Sequence, residues 1–199
     1  WEVNDTDELA STLAALEEVR DEFNAKARGN KAISMADMIV LGGAAAIESA
    51  AAERGHDIEI AFVPGRMDAS QEQTDVNSFA ALEPVADGFR NYYDEDRNYM
   101  SPVGAMIDKA NLLDLTPPEM TALVGGLRVL GANSGGSSHG VFTDREGQLS
   151  NDFFVNLLDM GVQWTASTEF PGVYVATDRE TGDRRWTATP IDLMFGYSS

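Results

Sequence analysis

Leu9, Leu13, Leu16, Val19 and Phe23 recur at every third or fourth position, so the stretch that Thr6 opens and Gly29 closes can gather them on one side only as a helix. Its other face is mostly Glu, Asp and Arg. A second helix is expected from Ser34, where Ser34-Met35-Ala36-Asp37 has the form of a capping box, through Ile39, Val40 and Ile47 to Gly55. Gly42, Gly43 and Ala44 to Ala46 make one side of it very small, as if another backbone approached there. Thr116-Pro117-Pro118-Glu119 announces a third helix by a capping residue, proline in the first turn and glutamate at the third position, and it turns Met120, Leu123, Val124 and Leu127 inward. Ser150 starts a fourth through Phe153, Phe154, Leu157 and Leu158. Against this, Ile58, Ile60 and Phe62 alternate like a short extended piece ending at Pro64-Gly65. Residues around Val162 and Trp164, Val173 to Val175, and Arg185 to Thr187 read as an antiparallel ribbon turning at Glu180-Thr181-Gly182-Asp183. The fold class that follows is mainly α with a small antiparallel β ribbon.

Composition narrows the chemistry. The 199 residues are 43% apolar, enough for one domain with a sizeable core and no metal or disulfide staples. With 33 acidic residues against 14 basic the net charge is −19, which disfavours nucleic acid or an anionic membrane as partner because phosphates would be repelled. Zero cysteine excludes a thiolate nucleophile, an iron–sulfur cluster and a cysteine zinc site, and it suits a reducing, cytoplasmic compartment. Two histidines restrict any metal site. No apolar run approaches the ~20 residues of a membrane span. Lysine is rare, at Lys26, Lys31 and Lys109 only, and an acidic, lysine-poor surface suits high salt, where screening over ~3 Å at 1 M removes self-repulsion.

The small motifs carry little chemistry. Gly136-Ser137-Ser138-His139-Gly140 matches Gly-x-Ser-x-Gly, but a nucleophile elbow needs a strand entering and a helix leaving, whereas here a helix enters and a loop leaves. The same loop lacks the Gly-Lys-Ser/Thr ending that would hold nucleotide phosphates. Asp94, Asp96 and Asn98 open like a calcium loop, yet Tyr99 stands where glycine must turn and Ala105 where the bidentate glutamate belongs. His56, after a helix-ending glycine, is expected to be exposed.

Three stretches resemble one family across almost the whole chain. They are Ala36-Asp37-Met38-Ile39-Val40-Leu41-Gly42-Gly43, the run from Glu119 through Gly125-Gly126-Leu127-Arg128-Val129-Leu130-Gly131 to Asn133, and Gly140-Val141-Phe142-Thr143-Asp144-Arg145 with the run from Ser150 to Met160. Pro64-Gly65-Arg66-Met67-Asp68-Ala69, Gln71 to Asp75 and Glu83 to Tyr92 agree. The sequence is similar to the C-terminal domain of bacterial and archaeal catalase-peroxidases, and its charge suggests a halophilic source.

That resemblance implies a haem-peroxidase-like helical domain, the degenerate second of two tandem copies, supporting a first, N-terminal copy that carries haem b. In a working copy the proximal histidine stands three residues before the glycine of the Leu-Gly pair, and counting back from Gly131 puts Arg128 there. By the same resemblance Phe142 takes the place of a tryptophan, and Asp192 in Pro190-Ile191-Asp192-Leu193 matches the aspartate that orients the histidine. A guanidinium offers iron no lone pair, so no haem is expected in this segment and no catalytic residue is assigned. Arg128 and Asp192 are expected to pair instead. The family further implies contact with the N-terminal haem domain of the same chain and a homodimer. The distal arginine and histidine would lie before Trp1, and Ile191 to Phe195 look like a helix beginning, so residues 1 to 199 are expected to be most of a domain shortened at both ends. Two other readings are a weakly haem-binding peroxidase and a stand-alone acidic module that binds a basic protein.

Overall fold

In the computed structural model, which describes residues 1–29 and 31–197, helix α1 spans Thr6–Lys26 and helix α2 Met35–Ala52. Asp5, at a left-handed φ of 48°, caps α1 through the amide of Glu8. The start of α2 is held more firmly. Ser34 Oγ accepts the Asp37 amide at 3.0 Å, while the Asp68 carboxylate accepts the amides of Met35 and Ala36 at 2.8 and 2.9 Å. Three of the N–H groups that a helix start leaves open are therefore met by side chains, two of them by one carboxylate more than thirty residues away.

The same stretch corrects the extended piece expected near Ile58 to Pro64: no strand forms there. Its amides are spent on carboxylates of α2 rather than on a partner strand. The Ile60 amide donates to Glu48 Oε1 at 2.7 Å and the Gly65 amide to Asp37 Oδ2 at 2.7 Å, with the Arg66 guanidinium on Asp37 Oδ1 at 3.0 Å. The small side of α2 is also filled differently from expectation. A Cβ on Gly42 would stand 2.9 Å from Leu16 Cδ2, so a side chain of α1, not a backbone, occupies the space. Apart from that contact α1 buries little: none of its residues is buried, and Val19 and Phe23 are about half exposed, at 55% and 52%. Helix α2 is, by length and composition, apolar enough to cross a membrane, 18 residues with mean hydropathy 1.4, which the expectation of no such run had not allowed. Short turns and helix α3 (Val76–Phe79) complete the first of two compact units, Trp1–Glu83 and Pro84–Ser199.

The second unit is built on α4 (Pro102–Leu112), α5 (Pro117–Val129), α6 (Asp152–Leu157), strands β1 (Val162–Ala166), β2 (Tyr174–Asp178) and β3 (Arg184–Ala188), and α7 (Pro190–Tyr197). Helix α4 was not legible beforehand; Ser101 caps it and Pro102 opens it. Helix α5 starts as its capping box predicts, Thr116 and Glu119 closing on each other. The helix expected from Ser150 is shorter, and Leu158 lies beyond its end, 59% exposed. The ribbon is a three-stranded antiparallel sheet in the order β1-β2-β3, pairing Trp164 with Ala176 and Ala176 with Trp186.

Two apolar clusters form the core of this unit. Phe89, Met106, Ala110, Met120, Val124 and Ile191 join α4, α5 and the start of α7. Val129, Phe142, Phe153, Leu157, Ala188 and Leu193 join the end of α5 to α6, β3 and α7. Each fully buried Val, Phe or Ile there contributes on the order of 1.5–3 kcal/mol.

Hydrogen bonding also sets how the fold answers to acid. The Gly65 amide, then Arg66, holds the Asp37 carboxyl below its ordinary range, and the Met35 and Ala36 amides do the same for Asp68. Carboxyls depressed in the fold stabilise it above the unfolded value near pH ~4, and that contribution is lost as pH falls through the lower folded values. Urea titrations of the wild type and D68N at pH 7 and pH 3 should therefore show the two curves converging at low pH. Comparing the pair removes the opposing relief of self-repulsion that acid gives a chain of charge −19.

Candidate functional site

The last turn of α5 and the first turn of α7 meet in a charged core. Arg128 and Asp192 are both wholly buried, and Arg128 Nε donates to Asp192 Oδ1 at 2.7 Å. The expected pair therefore forms, across 64 residues of chain. Asp192 is placed by the local sequence: Thr189 precedes α7, and its amide and hydroxyl both donate to Asp192 Oδ2, at 2.7 and 2.8 Å. This is the same threonine-to-acid closure that starts α5 at Thr116 and Glu119, used here to aim a carboxylate inward.

The rest of the guanidinium is also engaged. Nη2 donates to Asn91 Oδ1 at 2.7 Å and Nη1 to Asn133 Oδ1. Each of these amides then donates its own Nδ2 to the carbonyl of His139, at 2.9 Å from Asn91 and 3.0 Å from Asn133. Asn91 reaches this position from a left-handed turn, φ 62°, a conformation that asparagine tolerates better than most residues. Arg128 thus fixes the glycine-rich loop, residues 131–140, through two relays that end on one carbonyl. The loop in turn roofs the ion pair with Gly140, whose φ is 83° and whose amide donates to the Thr187 carbonyl of β3 at 2.8 Å. A Cβ on Gly140 would run into Arg128 Nε and Asp192 Oδ1, so no other residue fits there. Of the Gly-x-Ser-x-Gly resemblance in this loop, the closing Gly140 answers to that packing need, whereas Gly136 meets nothing within 4 Å; Ser137 and Ser138 lie on a loop, with no strand entering.

Phe142 lies two residues beyond the roof and is wholly buried. Its ring stacks on Phe153 with centroids 5.1 Å apart and an interplanar angle of 6°, and it meets Trp164 at 5.3 Å and Trp186 at 6.2 Å. Offset and tilted aromatic contacts of this kind add about 0.5–1.5 kcal/mol each beyond area burial. Phe142 shares its apolar cluster with Val129 and Leu193, the chain neighbours of Arg128 and Asp192. Beside it, the Thr143 hydroxyl and then Arg145 hold the Asp152 carboxyl below its ordinary range.

This geometry does not fit axial ligation of a haem iron at position 128. All three guanidinium nitrogens are spent on protein acceptors, and none has a lone pair to give. His139, the histidine of this unit, holds Nδ1 at 2.9 Å from Thr187 Oγ1. Among the described residues no group of three or more His, Cys, Asp or Glu could hold a metal ion, the Asp94 to Asn98 turn included.

The family model of the peroxidases matches residues 1–199. The chain belongs to the peroxidase family. Within it, the sequence is 58% identical to catalase-peroxidase 2 of Shewanella sp. strain MR-7 over all 199 residues. It is 59% identical over 196 residues to the catalase-peroxidase of Yersinia pestis strain Pestoides F. It spans 27% of the length of each of these relatives. The mainly helical peroxidase fold with a small sheet agrees with the fold class expected from sequence.

Asn91, Asn133 and Gly140, which complete the charged core of this peroxidase-family domain, stood in the sequence only as members of longer stretches, with no part in a site. Gly131 and the glycine-rich run after it were visible, but only tertiary contact tells which of those glycines is indispensable. Truncating Arg128 to methionine leaves the Asp192 carboxylate buried without its cation, which should cost ~3–5 kcal/mol in a urea titration. D192N introduced on top of R128M should cost far less than D192N alone, because its partner is already gone.

Proposed function

We propose that this chain is the C-terminal, haem-free domain of a catalase-peroxidase, and that it supports the active conformation of an N-terminal haem domain rather than reacting with peroxide itself. The observation that carries the reading is the buried guanidinium of Arg128, locked by Asp192, Asn91 and Asn133 where a haem-binding copy of this domain would need an imidazole. On this reading Arg128, Phe142 and Asp192 are a proximal haem site converted into a structural core. The aspartate keeps its task of orienting an N–H donor, and the donor has changed from a neutral imidazole to a guanidinium.

The similarity to catalase-peroxidases that are several times longer supports the assignment to one domain of such an enzyme, with haem b held elsewhere in the chain and hydrogen peroxide as its substrate. A rigid partner can hold a neighbour's loops in one of several arrangements by contact energy alone, without touching the substrate. We place the enzyme in the cytoplasm as a homodimer, in keeping with the family and the absence of cysteine.

In the longer enzyme, deleting this domain should lower catalase activity by at least tenfold and change the haem spin state seen in the visible spectrum. Full activity with an unchanged spectrum would overturn the supporting role. Adding hemin to the 199-residue chain should give no histidine-ligated Soret band, and such a band would overturn the haem-free assignment.

We also read the acidic, lysine-poor surface as an adaptation to salt. Its melting temperature should rise between low salt and molar KCl, as screening over ~3 Å removes repulsion among surface carboxylates.

A further inference from the structure

Trp164 and Trp186 face Phe142, so the alternation of the strands sends Thr165, Val175 and Thr187 to the other face of the sheet, where the register lines them up across β1, β2 and β3. Over that face lies a cleft of about 420 Å³, lined by these strands, by the β1–β2 connection and by His139 of the glycine-rich loop. Its floor is Thr165 and Val175, and Phe170 walls it. Arg184 and Glu169 both line it, and among the described residues neither has an ion-pair partner, although most arginines of the chain do.

The walls of this cleft are held in place. The His139 carbonyl is fixed by two asparagine amides and its Nδ1 lies on Thr187 Oγ1, which leaves Nε2 without a protein partner among the described residues. The connection is closed by Ser167 Oγ, which accepts the amides of Glu169 and Phe170 at 3.2 and 3.1 Å, and by the Ser167 amide on the Val173 carbonyl at 2.8 Å. A guanidinium, a carboxylate and an imidazole nitrogen, each without a protein partner among the described residues, thus line a cleft with Val175 and the Thr165 side chain at its floor. Convergent polar groups over an apolar surface are what a small-molecule site requires.

We propose that this cleft binds a small zwitterion with an apolar side chain, of the α-amino acid type. Arg184 takes the carboxylate, with His139 Nε2 as a second donor; Glu169 takes the ammonium; and Phe170 and Val175 receive the side chain. A simple anion would leave Glu169 unmatched and a simple cation would leave Arg184 unmatched, so the opposite charges favour a ligand that carries both.

The test is calorimetric titration and NMR of the 199-residue chain with L-phenylalanine, 3-phenylpropionate and phenethylamine. L-phenylalanine should bind in the millimolar range or tighter, and the two singly charged analogues about tenfold more weakly. R184Q should weaken L-phenylalanine about tenfold and leave phenethylamine unaffected, while E169Q should weaken it similarly and leave 3-phenylpropionate unaffected. Both side chains are exposed, so the variants fold, as circular dichroism will verify. Equal binding of all three compounds, insensitivity to both substitutions, or no binding up to about 20 mM would each overturn the proposal.

Discussion

A charge pair removed from water is stable only when each oxygen and each N–H finds a partner, and the Arg128–Asp192 pair imposes that condition on the second unit. Asp192 is satisfied by Arg128 and by its own helix start at Thr189, and Arg128 by Asp192, Asn91 and Asn133. Those requirements reach outward. They fix the turn at Asn91, the start and roof of the glycine-rich loop, the position of β3 through Gly140, and the approach of α7 to α5. An apolar pair of similar volume would make no such demands, and it would leave the loop free to choose among several arrangements.

On the proposed reading, the pair is also what lets a peroxidase fold persist where no haem is held. A guanidinium standing where a haem-binding copy would hold a neutral imidazole would keep a donor facing that carboxylate, and it supplies donors for two asparagines. The aromatic ring of Phe142 joins a stack of Phe153 and tryptophans that needs no cofactor to be filled. On that reading a reaction centre has become a packing centre, carried by the same stretches of sequence.

Local rules read parts of this architecture well. The capping box of α5, the Ser34 start of α2 and the turn between β2 and β3 were legible because each is decided within a few residues. The extended reading near Ile60 failed because the amides there answer to carboxylates on a helix more than ten residues away. Arg128 and Asp192 were found only because the resemblance to a family placed them at matching positions, and nothing in their local sequence joins them. Asn91 was beyond reach for a further reason: its role depends on a left-handed turn that its neighbours do not announce.

The separation of the two charged residues, 64 positions apart, bears on how long the fold lasts as well as on how stable it is. Contacts between distant segments require loop closure first, a cost that a helix turn or a hairpin does not meet. Interactions absent from the transition state show up in the rate of unfolding rather than of folding. A buried pair that closes after the folding transition state acts as a latch, and breaking it would show as faster unfolding.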